Sequence, residues 1–157
     1  MKLTKRMLIA GLLGTAIALP TIAHIEKAEP IQSIRQSYFA LIGMTFSPMG
    51  DMVKGKIDWD QETFSGWAND LASVSSFGVE RGFAPGSEEG KTRAKPDIWL
   101  DMDDFSERLQ AFRTEASKLA TVAQTGDRQA IAQQFGATGK TCKGCHDSYK
   151  AKDYLYE

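Results

Sequence analysis

Residues 142–146, Cys-Lys-Gly-Cys-His, place two thiols three positions apart and a histidine directly after the second thiol. On a helix this spacing puts both sulfur atoms on one turn. The pattern C-x-x-C-H is the attachment sequence of a c-type haem, whose iron takes the histidine as an axial ligand. We therefore predict one covalent haem c, attached through Cys142 and Cys145, with His146 on its iron. The fold must then enclose a flat, rigid cofactor.

Other uses of two nearby thiols are less consistent with the chain. Cys142 and Cys145 are its only cysteines, so two thioethers leave none for a structural disulfide. A thioredoxin-like dithiol would need a βαβ context, and a zinc site would need a fourth ligand. The only other histidine, His24, is far away near the N-terminus. A zinc-bound structural module would require a long return of that segment, and it remains an alternative.

The N-terminal residues have the pattern of a secretory signal peptide, which we predict to be residues 1–23. Three basic residues among the first six precede the uncharged stretch 7–23, which Pro20 interrupts. This stretch is shorter than the about 20 apolar residues that span a membrane. We predict cleavage after Ala23, export to a bacterial periplasm and no membrane attachment after cleavage. Residues 24–157 would then form one domain.

The charge of the exported part argues against a nucleic-acid partner. It carries 16 basic and 20 acidic side chains, a formal charge of −4 before the haem carboxylates are counted. No basic cluster is denser than residues 140–152, and that run surrounds the thiol motif.

Apolar residues recur at alternating steps of three and four in four segments, which is typical of amphipathic helices in a bundle. We predict an all-α, antiparallel, left-handed four-helix bundle. The expected helices cover about residues 29–53, 60–76, 97–123 and 126–149. We expect the inner stripe of the first helix to consist of Ile31, Ile34, Tyr38, Leu41, Thr45, Met49 and Met52.

Local signals refine these limits. Pro48 should kink or divide the first helix, because proline lacks an amide hydrogen and clashes with the preceding turn. Asp97, directly after Pro96, is the expected N-cap of the third helix. Residues 77–95 form a long connection, and connections of this length are usually functional or mobile. We expect this one to cover one face of the haem.

A helical bundle with C-x-x-C-H on its last helix resembles cytochrome c′, the class II c-type cytochromes, whereas class I proteins have the motif near the N-terminus. Further similar sequences cover essentially the whole exported chain: Arg35-Gln36-Ser37, Met-Val-Lys-Gly at 52–55, Phe-Ala-Pro-Gly at 83–86 and Ala-Lys-Pro-Asp-Ile-Trp at 94–99.

The resemblance implies several cofactor contacts beyond the thiols and the axial histidine. Arg35 and Gln36 would contact the haem and its propionates, and a guanidinium is a good partner for a carboxylate. The loop at Thr92 and Arg93 would approach the haem, although relatives often have an acidic residue after the threonine. Lys150 would lie beside the proximal histidine, or simply be a favourable cation at a helix C-terminus.

The position four after Arg35 distinguishes two groups in the family. Relatives with methionine there have six-coordinate, low-spin haem, and relatives with an apolar side chain have five-coordinate haem. This chain has Phe39, whose ring offers iron no lone pair. We expect Phe39 to cover the distal face, and neither Met44 nor Met49 to reach the iron.

The resemblance therefore implies a periplasmic monohaem cytochrome c′ that binds nitric oxide and also carbon monoxide. It would buffer nitric oxide or take part in electron transport with an unidentified redox partner. No general base or nucleophile is evident around the motif, so we expect no enzymatic activity. The alternative is a low-spin, six-coordinate electron-transfer cytochrome, which would need a sixth ligand such as Met44 or His24.

Family members commonly form homodimers through their first two helices. Apolar residues that the predicted bundle leaves over there would suit such an interface, namely Phe46, Trp59 and Trp67.

Overall fold

The structure is a computed structural model that describes residues 30–155. The predicted signal peptide, its cleavage site and His24 lie outside the described residues. Within them the regular elements are helices, and one isolated β-bridge joins Ala94 to Lys150. The all-α prediction is confirmed. The elements are α1 (Pro30–Val53), α2 (Gln61–Ser75), a 3₁₀ helix (Val79–Phe83), α3 (Asp97–Leu100), α4 (Met102–Ala123) and α5 (Arg128–Tyr149).

The four long helices form an antiparallel bundle in which neighbours along the chain are neighbours in space. Gln61, at the start of α2, donates to the Ala123 carbonyl at the end of α4 (2.6 Å). Arg113, in the middle of α4, donates to the Ser75 carbonyl at the end of α2 (2.9 Å). None of the helices in residues 30–155 is both long and apolar enough to cross a membrane.

The buried stripe of α1 differs from the predicted one at two positions. Tyr38, Thr45, Met49 and Met52 are buried as expected, but Ile34 and Leu41 are 45% and 44% exposed. The next residues along the chain, Arg35 and Ile42, are buried in their stead. The buried residues thus follow alternating steps of three and four throughout α1. Because Arg35 occupies one of these buried positions, the pattern of apolar residues alone did not indicate the correct register.

Pro48 does not divide α1, which continues through it, so of the two effects predicted for this proline the division is wrong. The fully buried Met49 and the contact of Phe46 with the Phe135 ring hold the helix on both sides of the proline. This packing offsets a cost of about 3 kcal/mol. In addition, Asp97 does not cap the long third helix, because it opens the four-residue α3.

The N-cap of α4 is Asp101, whose carboxylate accepts the Asp104 amide hydrogen (3.1 Å). We expect Asp101→Ala to lower the free energy of unfolding by about 1 kcal/mol, the usual cost of losing such a cap. Asp97→Ala is the matched control and should cost less than half as much, because its side chain makes no capping bond. Urea titrations followed by far-ultraviolet circular dichroism would measure both, and equal losses would contradict the assignment of the cap.

Candidate functional site

The end of the 77–95 connection is hydrogen-bonded to the end of α5 and the residues after it. The Lys95 amide donates to the Tyr149 carbonyl (3.0 Å), and the Ala151 amide donates to the Arg93 carbonyl (2.8 Å). The Leu155 amide donates to the Thr92 carbonyl (2.9 Å). The connection is therefore fixed at this end of the bundle by backbone bonds, as a covering segment requires.

Helices α1 and α5 touch near the middle of the bundle and leave a cavity beside this contact. Phe46 and Phe135 stack with their ring centroids 4.2 Å apart. The missing side chain at Gly50 leaves room for the Phe135 ring, because a Cβ at Gly50 would lie 3.1 Å from that ring. Between the first half of α1 and the last turns of α5 lies a cavity of about 550 Å³. This volume is in the range of cofactor sites in proteins.

The cavity has a mainly apolar wall with charged groups at its margin. The apolar part comes from three helices and the connection, and includes Phe39, Ile42, Phe46, Phe83, Leu109 and Phe112. Thr92, Arg93 and Lys150 line its margin, where the connection meets α5. A flat apolar group with charged substituents would match this distribution of side chains.

Both thiols of the C-x-x-C-H motif reach this cavity from the last turns of α5. Burial raises the pKa of the Cys142 thiol. Burial likewise raises the pKa of Cys145 to about 11, although the Arg108 guanidinium acts in the opposite direction. Both thiols are therefore protonated at neutral pH. Within residues 30–155, no three histidine, cysteine or acidic side chains are placed to hold a metal ion.

The His146 side chain lines the same cavity. Burial lowers the pKa of His146, and the cations of Lys150 and Arg93 lower it further. The imidazole is then neutral at pH 7 and has the lone pair that a metal ligand needs. Lys150 lines the cavity together with this histidine, and its predicted role beside the haem stays a prediction.

A polar network that the sequence did not indicate supports the turn between the two cysteines. Arg108 donates to the Gly144 carbonyl (2.9 Å) and to the Asp104 carboxylate (2.5 Å). The Tyr149 hydroxyl donates to the same carboxylate (2.5 Å). Burial and this carboxylate raise the pKa of Tyr149 to about 12, so its hydroxyl stays a donor. The network links the start of α4 to the motif on α5.

Arg35 and Gln36 line the cavity and also bind the 77–95 connection. Arg35 is 3% exposed and donates to the Ser87 carbonyl (2.7 Å). Its guanidinium carbon lies 4.8 Å from the centroid of the Phe83 ring. Gln36 donates to the Lys91 carbonyl (2.9 Å). Their predicted contact with propionates stays a prediction, and their hydrogen bonds add a second role in holding the connection against α1.

Phe39 lines the cavity from α1, whereas the axial histidine approaches from α5. No methionine in the described part of the chain lines the cavity. Met44 is 63% exposed, and Met49 is fully buried in the core.

The aromatic residues predicted to suit a subunit interface also pack within the chain, and the interface itself stays a prediction. Phe46 stacks on Phe135, Trp59 stacks on Phe64 with centroids 4.9 Å apart, and Trp67 packs against the core. The apolar side chains that α1 does expose are Ile34, Phe39, Leu41 and Met44.

The residues present fit a covalent haem. Two partly buried thiols lie one turn apart and a neutral imidazole follows them. The apolar wall and the cationic margin suit a porphyrin and its carboxylates. When bound, the haem supplies an iron that changes oxidation state and binds small ligands. The chain's own groups hold the thiol-bearing turn, present His146 and keep the cavity apolar.

Comparisons with known proteins agree with this site. A family model described as Cytochrome C′ matches residues 30–150. Cytochrome c′ of Halomonas halodenitrificans is 40% identical over 133 residues, which cover 80% of this chain and 100% of that protein.

Solved structures are similar over nearly their whole length. Cytochrome c prime from Shewanella frigidimarina has a TM-score of 0.75 and 42% identity, over 78% of this chain and 94% of the other. A nitric oxide complex of a mutant cytochrome c prime from Alcaligenes xylosoxidans has a TM-score of 0.72 and 34% identity, over 80% and 98%.

Proposed function

The chain belongs to the cytochrome c′ family and carries covalent haem c with iron, and we propose that this iron is five-coordinate, high-spin and open to nitric oxide. One observation carries the proposal. His146 lines the cavity from α5, while Phe39 lines it from α1 and no methionine in residues 30–155 lines it. A phenyl ring cannot ligate iron, so the distal position stays available for a small gas.

The apolar lining favours small neutral ligands over water or anions. Phe39, Ile42 and Phe46 offer no hydrogen bond to a bound molecule. The polar side chains Arg108 and Tyr149 are already bonded to the Asp104 carboxylate. Nitric oxide and carbon monoxide need no hydrogen-bond donor to bind ferrous haem. The similarity to a protein solved as a nitric oxide complex supports this ligand class.

We propose that the protein buffers nitric oxide or carries electrons and does not turn over a substrate. Two polar groups beside the motif act as supports: Arg108 donates to the Gly144 carbonyl, and Tyr149 donates to Asp104. Within residues 30–155 the low-spin alternative has no placed methionine ligand, because Met44 is exposed and outside the cavity. Its other candidate ligand, His24, lies outside the described residues.

Location and assembly complete the proposal. The signal-like residues 1–23 favour a bacterial periplasm, where haem is attached after export. A homodimer through the first two helices would cover Ile34, Leu41 and Met44, the exposed apolar side chains on α1.

Optical titration of the ferrous protein with nitric oxide and with carbon monoxide tests the proposed coordination. We expect a broad high-spin spectrum before gas is added and saturable binding of both gases. Pyridine haemochrome measured on the same sample gives the haem content per chain, which should be one. A sharp, split pair of α and β bands in the gas-free protein would show a sixth protein ligand and contradict the five-coordinate proposal.

A further inference from the structure

Basic residues are concentrated on one part of an otherwise acidic protein. Residues 91–95 and 143–153 together carry six basic and two acidic side chains. The rest of residues 30–155 carries nine basic and fifteen acidic side chains. We call the six cations the basic rim: Lys91, Arg93, Lys95, Lys143, Lys150 and Lys152.

The two segments that carry the basic rim are joined at the margin of the haem cavity. Backbone bonds from Lys95 to Tyr149 and from Ala151 to Arg93 hold them side by side. Arg93 and Lys150 line the cavity itself, and so does Tyr154, whose ring lies 5.4 Å from the Lys91 ammonium. The basic rim therefore lies along the margin of the cavity where the 77–95 connection ends.

The hydrogen bonds of Arg93 and Lys95 hold these two cations in place without cancelling their charge. Arg93 donates to the Ala151 carbonyl (3.0 Å), and Lys95 donates to the Ser148 carbonyl (3.1 Å). Lys143 pairs with Asp147 at 2.5 Å, but this pair is largely exposed and so contributes little. Away from the rim, by contrast, Arg113 is bound to the Glu80 carboxylate through both of its terminal nitrogens.

The two haem carboxylates do not account for the basic rim. Arg35 already brings a further cation to the cavity wall, in addition to the rim residues Arg93 and Lys150. The net charge of the rim segments, six basic against two acidic side chains, exceeds what two carboxylates neutralise. Side chains such as Lys143 and Lys152 are exposed and do not line the cavity.

We propose that the basic rim is the docking surface for a small acidic electron-transfer protein. Complementary charge would steer the partner to the cavity margin and place its redox group close to the haem. In the transfer, the reduced partner loses one electron and the ferric iron gains it, and no bond is formed or broken. This inference needs only a haem that changes oxidation state, so it is independent of the proposed gas binding.

A protein is a better match than an anionic membrane or a nucleic acid. Those polyanions extend well beyond a single patch and would meet the acidic remainder of the surface, with fifteen carboxylates against nine cations. Glu88 and Glu89 already precede the rim along the same connection. A compact acidic patch can contact the six cations without approaching the other carboxylates.

Charge reversal on the holoprotein tests the proposal. The rim variant is Lys143→Glu with Lys152→Glu, and the control is Lys54→Glu with Lys56→Glu on the connection after α1. Both variants change the net charge equally, and all four side chains are exposed. Stopped-flow absorbance would follow reduction of the ferric protein by an acidic flavodoxin and oxidation of the ferrous protein by hexacyanoferrate(III), over a range of ionic strength.

We expect both reactions of the unmodified protein to slow as salt is added, although its net charge is negative. At low salt the rim variant should react about tenfold more slowly, and the control variant less than about twofold more slowly. Equal effects of the two variants would overturn the proposal, because only net charge would then matter. If the unmodified protein sediments with phosphatidylglycerol vesicles and the rim variant does not, the rim binds a membrane and the proposal is wrong. The gas-free spectra of both variants should match the unmodified protein, which separates this test from that of coordination.

Discussion

Phe39→Met should convert the haem to a low-spin, six-coordinate state with sharp, split α and β bands in the ferrous protein. Phe39 lines the cavity from α1, while His146 lines it from α5. Methionine is unbranched and flexible, so it can bring a thioether to the position that the ring covers. Carbon monoxide must then displace the sulfur, and we expect its apparent affinity to fall at least about tenfold, or about 1.4 kcal/mol. Absorption spectra and gas titration measure both effects.

Leu41→Met is the matched control for this change. Leu41 is two residues further along α1, is 44% exposed and does not line the cavity. The control should keep the high-spin spectrum and the carbon monoxide affinity of the unmodified protein. A high-spin spectrum in the Phe39→Met protein would show that residue 39 does not face the iron, and the distal assignment would be wrong.

Local signals in the sequence were sufficient for most helix limits. Asp60 and Asp127 precede α2 and α5, and their carboxylates accept amide hydrogens of the first turn. Both helices begin within two residues of the predicted positions. The error came where two aspartates, Asp97 and Asp101, offered the same capping chemistry a few residues apart. The choice depends on tertiary contacts such as that of Trp99, which donates to the Ala84 carbonyl (3.0 Å).

The part of the site whose residues are close together in the sequence could be predicted. The two thiols and His146 occupy five consecutive residues, so their spacing alone indicates the cofactor. The support from Asp104 and Arg108 was missed, because its target is the Gly144 carbonyl on a different helix. Such a hydrogen bond produces no periodic pattern in the sequence, because any arginine on a helix can be either solvated or bonded to a distant carbonyl.

The haem should also hold its end of the bundle together. An empty apolar cavity destabilises a fold because the side chains that line it lose packing partners, and this cavity measures about 550 Å³. Water entering at the margin relieves part of the cost. The first half of α1 and the last turns of α5 should therefore separate when the haem is not attached.

Replacing both thiols, Cys142→Ala with Cys145→Ala, should abolish covalent attachment and the cooperative unfolding of the bundle. Haem staining after denaturing electrophoresis should give no signal, and thermal scans by circular dichroism should show a broad transition with reduced helicity. The single variant Cys142→Ala is the control, because Cys145 still forms one thioether and keeps the haem in place. Haem that stays with the doubly substituted chain through denaturation would contradict the attachment sites. An unchanged, sharp transition in that variant would instead show that the bundle is stable without the haem, because the walls of its cavity would then hold their positions on their own.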